Sequence, residues 1–472
     1  MAQAQNRTAT RGEGPRRTAW IVVALALYLL VRLLPPAPGL TASGQAVLAT
    51  VLCGMLLWIS EAAPLGVIAL AVLVLLGITP GMRPAAVFAG YTSPVVFFLI
   101  GVLAIGAAVE RTGLAARAGR LLLSRAQGSP TRLYFQMLLG MIGMAFVIPS
   151  AITRNAVLIP AYQESLDKMG IRRTNRAGRA LMLALGVLHP LASSALLTGG
   201  TTSIMAATLL GGFSWFRWFA LMAVPYYLLL LLGGTLLWVM VGKFEPGVPP
   251  DRPFTHRDGL SRPEKWTLAV LALTTALWFT DTLHGLSPSI PALLAASLLL
   301  APGIGVLRWS DFEARISWSL ILTVGTALSL TQALADTGAA AWLGRLVVAA
   351  LTSVSNHPLV LVGSLIVLVA AIHLAITNLA ACIALLLPLA TNFGLEAGLN
   401  PVICGLIVTI VVDAVILYPV QTATNLLAYE AGYYDATHVR RFGIAMLALT
   451  SALILAVVLP YWSLLGLALT SR

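Results

Sequence analysis

Two stretches of this chain repeat each other, but the charge around them is opposite. Residues 112–121 read Thr-Gly-Leu-Ala-Ala-Arg-Ala-Gly-Arg-Leu, and residues 337–346 read Thr-Gly-Ala-Ala-Ala-Trp-Leu-Gly-Arg-Leu. Each follows an apolar run holding a glycine, Gly101 and Gly325. The first copy is followed by Arg125, Arg132, Lys168, Arg172, Arg173, Arg176 and Arg179, whereas Leu346 to Tyr434 hold no Lys or Arg. Positive charge marks the cytoplasmic loops of a membrane protein. Two related halves with opposite bias are therefore read as inserted upside down relative to each other, an arrangement typical of secondary transporters.

Composition fits that reading. The 472 residues are 59% hydrophobic and 10% charged, against about 25% charged in soluble domains. The chain is read as an all-α polytopic membrane protein with the bilayer as its solvent. Its net charge of +12 is assigned to arginine-rich loops facing anionic lipid. It is not assigned to nucleic acid, because no basic surface interleaved with aromatics is found. Cys53, Cys382 and Cys404 lie in apolar runs without metal or redox spacing and read as packing residues.

Residues 1–17 read as a cytoplasmic tail, and the run 18–34 as a first span. Further spans are expected at 43–59, 63–79, 93–110, 180–210, 216–242, 266–283, 289–303, 316–335, 400–432 and 442–468. Two apolar stretches, 133–163 and 357–390, are interrupted by polar residues and read as re-entrant hairpins. The polar linker 243–265, with Lys243, Arg252, Arg257, Arg262 and Lys265, separates a first repeat over 18–242 from a second, inverted one over 266–472. With the N-terminus inside, the linker and the Arg440-Arg441 loop fall inside. The outward loops then hold only Arg83, Arg217 and Arg345, and the C-terminus emerges outside. A bacterial-type inner membrane is expected.

Two spans carry breaks, Thr198 to Ser203 and Tyr418 to Asn425. Irregular backbone survives at membrane depth only where protein or a watery cavity satisfies it, so paired breaks and hairpin tips point to a midplane site. The first tip holds Ser150, Thr153, Arg154 and Asn155, and the second Thr377 and Asn378. With Thr201, Thr422, Thr424 and Asn425 from the breaks, these are the candidate anion ligands, because the start of a returning helix presents free N–H groups and partial positive charge. Oxygens at Ser150, Gly199, Gly200, Thr377, Asn378 and Gln421 are candidate Na⁺ ligands. The competing reading is that Ser and Thr cap helix ends and Asn fills a turn. Asp413, in an otherwise apolar helix, is a candidate coupling acid or a partner for Arg154; the alternative is a helix-packing hydrogen bond. His373 and His189 read as structural residues whose chemistry also suits proton coupling.

Several motifs resemble the divalent anion–sodium symporter family of the ion transporter superfamily, over nearly the whole chain past the first helix. Trp58-Ile59-Ser60-Glu61-Ala62-Ala63-Pro64-Leu65 is similar to its W-x-x-E-A-x-P-L opening, and residues 93–114 to its fourth helix. Gly199-Gly200-Thr201 resembles its G-G-T break, and Tyr418-Pro419-Val420 through Thr424-Asn425 its L-P-V-A-T-P-P-N segment. The resemblance implies an elevator, in which a transport domain of hairpins and broken helices slides against a dimeric scaffold. The family's Ser-Asn-Thr tips are altered here, to Ser150-Ala151-Ile152 and Asn378-Leu379-Ala380, or to Thr377-Asn378-Leu379 with a one-residue slip. Some exchanger-like relatives carry P-S-N-T-A-R, which Pro149, Ser150 and Arg154 match in spacing.

An arginine at the membrane centre costs about 2.5–3.5 kcal/mol even on lenient scales. Arg154 either binds the anion or stands where a sodium ion would sit; otherwise the hairpin enters partway and Arg154 reaches cytoplasmic water. Na⁺ symport and exchange both remain open, and a Na⁺/H⁺ antiporter or arsenite-type permease of the same superfamily is the alternative. An enzyme is disfavoured, since neither His-Glu-x-x-His nor Gly-x-Ser-x-Gly occurs. A channel is disfavoured because Thr323-Val324-Gly325 lacks the Tyr-Gly that completes a potassium filter. No catalytic residue and no resident cofactor are expected.

Overall fold

A computed structural model of the chain describes residues 14–60, 62–114, 117, 129–148, 150–245, 259–314, 316–352, 357–375 and 379–470. Glu61, Pro149, Thr377, Asn378 and most of the linker, 246–258, lie outside the described residues. Regular structure among the described residues is helical, apart from one isolated bridge between Leu399 and Thr470. The leading helices are α1 (Gly14–Leu33), α2 (Ala42–Ser60), α3 (Leu65–Gly77) and α4 (Pro94–Thr112). Then come α5 (Pro130–Val147), α6 (Ala151–Lys168), α7 (Arg176–Val187), α8 (His189–Ser194), α9 (Thr201–Leu209) and α10 (Trp215–Val241). Beyond the linker lie α11 (Arg262–Phe279), α12 (Ser289–Leu300), α13 (Trp318–Asp336), α14 (Ala339–Thr352), α15 (Pro358–Ala375) and α16 (Leu379–Glu396). The chain finishes with α17 (Pro401–Ala414), α18 (Ala423–Glu430) and α19 (Ala436–Leu453), which runs on through a π-helical turn to Leu464. Among the described residues, four helices, Pro94–Thr112, Trp215–Val241, Trp318–Asp336 and Ala436–Leu464, are long and apolar enough to cross a membrane.

The two halves start and stop their helices with the same chemistry. Ser93 caps α4 and Ser317 caps α13, each accepting a backbone N–H of the first turn. The repeated Thr-Gly pairs end those helices: Gly113 and Gly338 take φ of 77° and 74°, a left-handed conformation that favours glycine. Proline opens α5 at Pro130 and α15 at Pro358, and thirty residues further on Pro160 and Pro388 sit inside α6 and α16. Asn175 and Asn400 cap α7 and α17, and Ser214 and Asp435 cap α10 and α19.

The halves also interlock at their repeated glycines. A side chain on Gly101 would meet the Ala292 carbonyl of α12 at 2.5 Å, and one on Gly325 would meet the Tyr91 ring at 2.5 Å. Small residues allow this close approach of helices where lipid offers no hydrophobic drive for association. Tyr91 Oη donates to the Leu322 carbonyl at 2.9 Å, and Ser329 Oγ accepts the Gly90 N–H at 3.0 Å.

Element boundaries differ from the sequence expectation in three places. The stretch 180–210 is divided into α7, α8 and α9; Pro190, in the first turn of α8, cannot continue the hydrogen-bond ladder of α7. The stretch 400–432 is divided likewise, since Tyr418, held extended before Pro419 at φ −147° and ψ 158°, cannot remain helical. Both breaks fall earlier than expected, over 195–200 and 415–422. Thr201, Thr424 and Asn425 therefore stand in the first turns of α9 and α18 rather than in irregular backbone. The helices of the two interrupted stretches also run beyond the expected 133–163 and 357–390, reaching Lys168 and Glu396.

Candidate functional site

The step between α5 and α6 ends at Ser150, whose Oγ accepts the Thr153 N–H at 3.2 Å and the Thr153 hydroxyl at 3.0 Å. Ser150 thus caps α6, and the Thr153 hydroxyl is tied to that cap. One residue further on, Arg154 turns inward and is fully buried. Its Nε donates to His189 Nε2 at 2.8 Å, its Nη2 to Ser193 Oγ at 3.0 Å, and its Nη1 to the Ile148 carbonyl. An arginine N–H can only donate, so His189 Nε2 must accept, which assigns the ring proton to Nδ1. Nδ1 then donates to Asn155 Oδ1, with 2.5 Å between nitrogen and oxygen. The imidazole is therefore neutral, and the guanidinium is caged by a carbonyl, a hydroxyl and a ring nitrogen, each an acceptor.

Asn155 carries the network across to the second half. Its Nδ2 donates to the Leu185 carbonyl at 2.8 Å and reaches the Thr424 carbonyl, at the start of α18, at 3.4 Å. Gln421 clamps the break before α18: its Oε1 accepts the Leu417 N–H at 2.8 Å, and its Nε2 donates to the His373 carbonyl of α15 at 3.3 Å. Tyr418 Oη donates to the Leu374 carbonyl at 2.8 Å. The start of α6 therefore meets the first turn of α18, and the end of α15 meets the break immediately before it. Thr422 Oγ1 caps α18 by accepting the Asn425 N–H at 3.2 Å and pairs with Thr424 Oγ1, also at 3.2 Å. Asn425 Oδ1 accepts the Tyr434 hydroxyl at 2.8 Å, and Gly186 leaves the space in which those two groups meet.

The break before α9 folds back tightly on α8. A Cβ on Gly199 would lie 1.7 Å from the Ser193 carbonyl oxygen, whereas Gly200 has room for one. Ser203 Oγ donates to the Ser194 carbonyl at 3.1 Å, and Thr201 is partly exposed. Asp413, at the end of α17, is not paired with Arg154. Its Oδ2 accepts Tyr226 Oη at 2.8 Å and Thr202 Oγ1 at 3.1 Å, with Ser194 beside it. Arg154 and Asp413 are thus buried on either side of the consecutive serines of α8, each held by neutral groups. Among the described residues, no group of three His, Cys, Asp or Glu side chains could hold a metal ion.

Of the residues expected from the sequence, Arg154, Asn155, Gln421, Thr424 and Asn425 are joined through this network. Ser150 and Thr153 border it at its exposed edge. Thr377 and Asn378 lie outside the described residues. Sequence reasoning gave His189 a minor place and missed Ser193 and Tyr226. Tyr226 had one available signal, a hydroxyl next to Pro225 inside an otherwise apolar helix.

The fold is that of a membrane transporter. It is similar to the crystal structure of the YdaH transporter of Alcanivorax borkumensis, with a TM-score of 0.55 and 15% sequence identity, covering 81% of this chain and 88% of that one. The sodium:sulfate symporter transmembrane region matches residues 16–468, and the chain belongs to that family. Among its relatives, the sodium-dependent dicarboxylate transporter SdcS of Staphylococcus saprophyticus is 22% identical over 451 residues, covering 87% of this chain and 85% of that protein. The L-tartrate/succinate antiporter of Escherichia coli K12 is 23% identical over 497 residues, covering 94% and 99%.

Proposed function

We propose that this protein is a secondary active transporter that moves a small divalent anion, a di- or tricarboxylate or sulfate, across a bacterial inner membrane without altering it chemically. The observation that carries this reading is the convergence of α6 and α15 on the start of α18 and the break before it, through Asn155 with Thr424 and His373 with Gln421, with the buried Arg154 guanidinium alongside. A fixed positive charge beside irregular backbone and the partial positive charge of helix N-termini is what a dianion needs. The relatives named for dicarboxylates, tartrate and succinate support the same class.

In this reading the two halves are inverted repeats, α5–α6 and α15–α16 are re-entrant hairpins, and the anion lies between them. Ser150, Thr153, Asn155, Thr201, Thr377, Asn378, Thr422, Thr424 and Asn425 are the candidate contacts. Arg154 is the built-in cation of the first half, since the Ile148 carbonyl and Ser193 Oγ among its acceptors are oxygens of the kind that would otherwise ligate a sodium ion. Gln421 and the backbone of Gly199 and Gly200 line the counterpart positions for Na⁺. Asp413 is the coupling acid, linked to α10 through Tyr226. The N-terminus is cytoplasmic and the C-terminus external, and a homodimer carries the sliding domains.

Counter-flow in proteoliposomes tests the proposal. Labelled succinate or sulfate is expected to accumulate against its gradient when driven by inward Na⁺ or by preloaded unlabelled anion. Na⁺-driven accumulation identifies symport, and preloading alone identifies exchange. Na⁺/H⁺ antiport with no anion movement, or arsenite transport, would overturn it.

A further inference from the structure

A charged cleft lies away from the Arg154 network, where the end of α6, the start of α7 and the exit of α10 converge. This open cleft has a volume of about 470 Å³ and is lined by Arg172, Thr174, Asn175, Arg176, Arg179 and Glu245. Three guanidinium groups thus face one carboxylate, a local balance of +2, and that carboxylate is engaged: Glu245 Oε2 accepts Asn175 Nδ2 at 3.1 Å. Arg179 Nε is buried without a hydrogen-bond partner. A buried donor left unpaired is costly, so it marks a place where an acceptor belongs. The neighbouring Arg173 is spent elsewhere, over the Tyr433 ring at 5.9 Å. Arginine forks match the oxygens of a phosphate in pairs, and a volume of this size falls within the range that takes an organic ligand.

We propose that this cleft binds a phosphate group, carried either by an anionic lipid headgroup or by a soluble phosphomonoester. The transport site does not use these residues, so the cleft is a separate anion site. The test measures the unfolding temperature of the full-length protein by tryptophan fluorescence. One arm titrates glycerol 3-phosphate in nonionic detergent, against sodium chloride at equal ionic strength. The other arm compares phosphatidylcholine vesicles with vesicles that also contain phosphatidylglycerol. A saturable rise in the first arm identifies a soluble ligand, and a rise confined to the second identifies a lipid. Arg172→Gln and Arg176→Gln, both at exposed positions, are each expected to weaken the effect about tenfold or more. Arg179→Lys, which keeps the charge but loses the fork, gives a third reading at the half-buried position. The proposal is overturned if neither arm stabilises the native protein, or if the response survives in both glutamine variants. It is also overturned if succinate produces a response abolished by those same variants.

Discussion

Replacing Gly199 with alanine sets a Cβ 1.7 Å from the Ser193 carbonyl oxygen and 2.4 Å from its carbonyl carbon. Since real Cβ contacts essentially never fall below 3.0 Å, the intrusion is 3.0 − 1.7, or 1.3 Å, into backbone that has no rotamer to change. Either the break before α9 or the end of α8 must shift by that order, at a cost of about 1–3 kcal/mol or more. Ser193 cannot move that far and still accept Arg154 Nη2 at 3.0 Å while donating to the Pro190 carbonyl at 2.9 Å. The variant is therefore expected to lose both thermal stability and anion uptake. The adjacent glycine supplies the control. On Gly200 a Cβ finds only Thr202 Oγ1, at 3.6 Å, and φ of −168° with ψ of 161° is extended backbone open to any residue. Gly200→Ala is expected to be neutral, or stabilising by about 0.4–1 kcal/mol through the entropy of the unfolded chain. The assay is the fraction of protein remaining monodisperse after heating in detergent, alongside uptake by proteoliposomes. Equal behaviour of the two variants, or an undamaged Gly199→Ala, would refute the argument that close packing of the break on α8 holds the Arg154 cage.

Arg154→Ala leaves the Ile148 carbonyl, His189 Nε2 and Ser193 Oγ without their donor, about 1–3 kcal/mol for each acceptor that stays dry; uptake should collapse, and unchanged rate and affinity would remove Arg154 from transport. Asp413→Asn preserves shape and can still accept from Tyr226, so the protein should fold but lose its response to the coupling gradient. Full gradient-driven accumulation in that variant would exclude Asp413 as the coupling acid. Tyr226→Phe removes a hydrogen bond to that carboxylate, worth about 1.5–3 kcal/mol, and should lower the unfolding temperature. At the start of α11, ahead of its apolar run, Glu264 is held at about 2 by the Arg117 guanidinium and the Ser261 backbone N–H. A depressed folded value contributes stability above the ordinary carboxylate range and loses it as pH falls towards 2. Glu264→Gln should lower stability at neutral pH and remove the dependence across that acid window, so that the two profiles converge near pH 2; a wild-type profile already flat there would count against the ion pair.

The order of elements was readable from residue types alone. Pro130 and Pro358, Pro160 and Pro388, and Gly113 and Gly338 act on their own backbone, fixing where a helix begins, bends or stops whatever packs beside it. Apolar run length and arginine placement are likewise properties of the linear chain, so a helical membrane protein followed from them. The partner of each buried polar group did not. The linear chain leaves Asp413 free to pair with Arg154, to act as a coupling acid or to bond a neighbouring hydroxyl; in the fold Arg154 is met by His189 and Ser193, and Asp413 by the hydroxyls of Tyr226 and Thr202. Partners 30 to more than 200 residues apart are brought together by how α6, α8, α10 and α17 cross, and crossing geometry depends on side-chain shape at every contact. Local chemistry therefore set the helices and their ends, while only the packed structure decided which donors reach which acceptors.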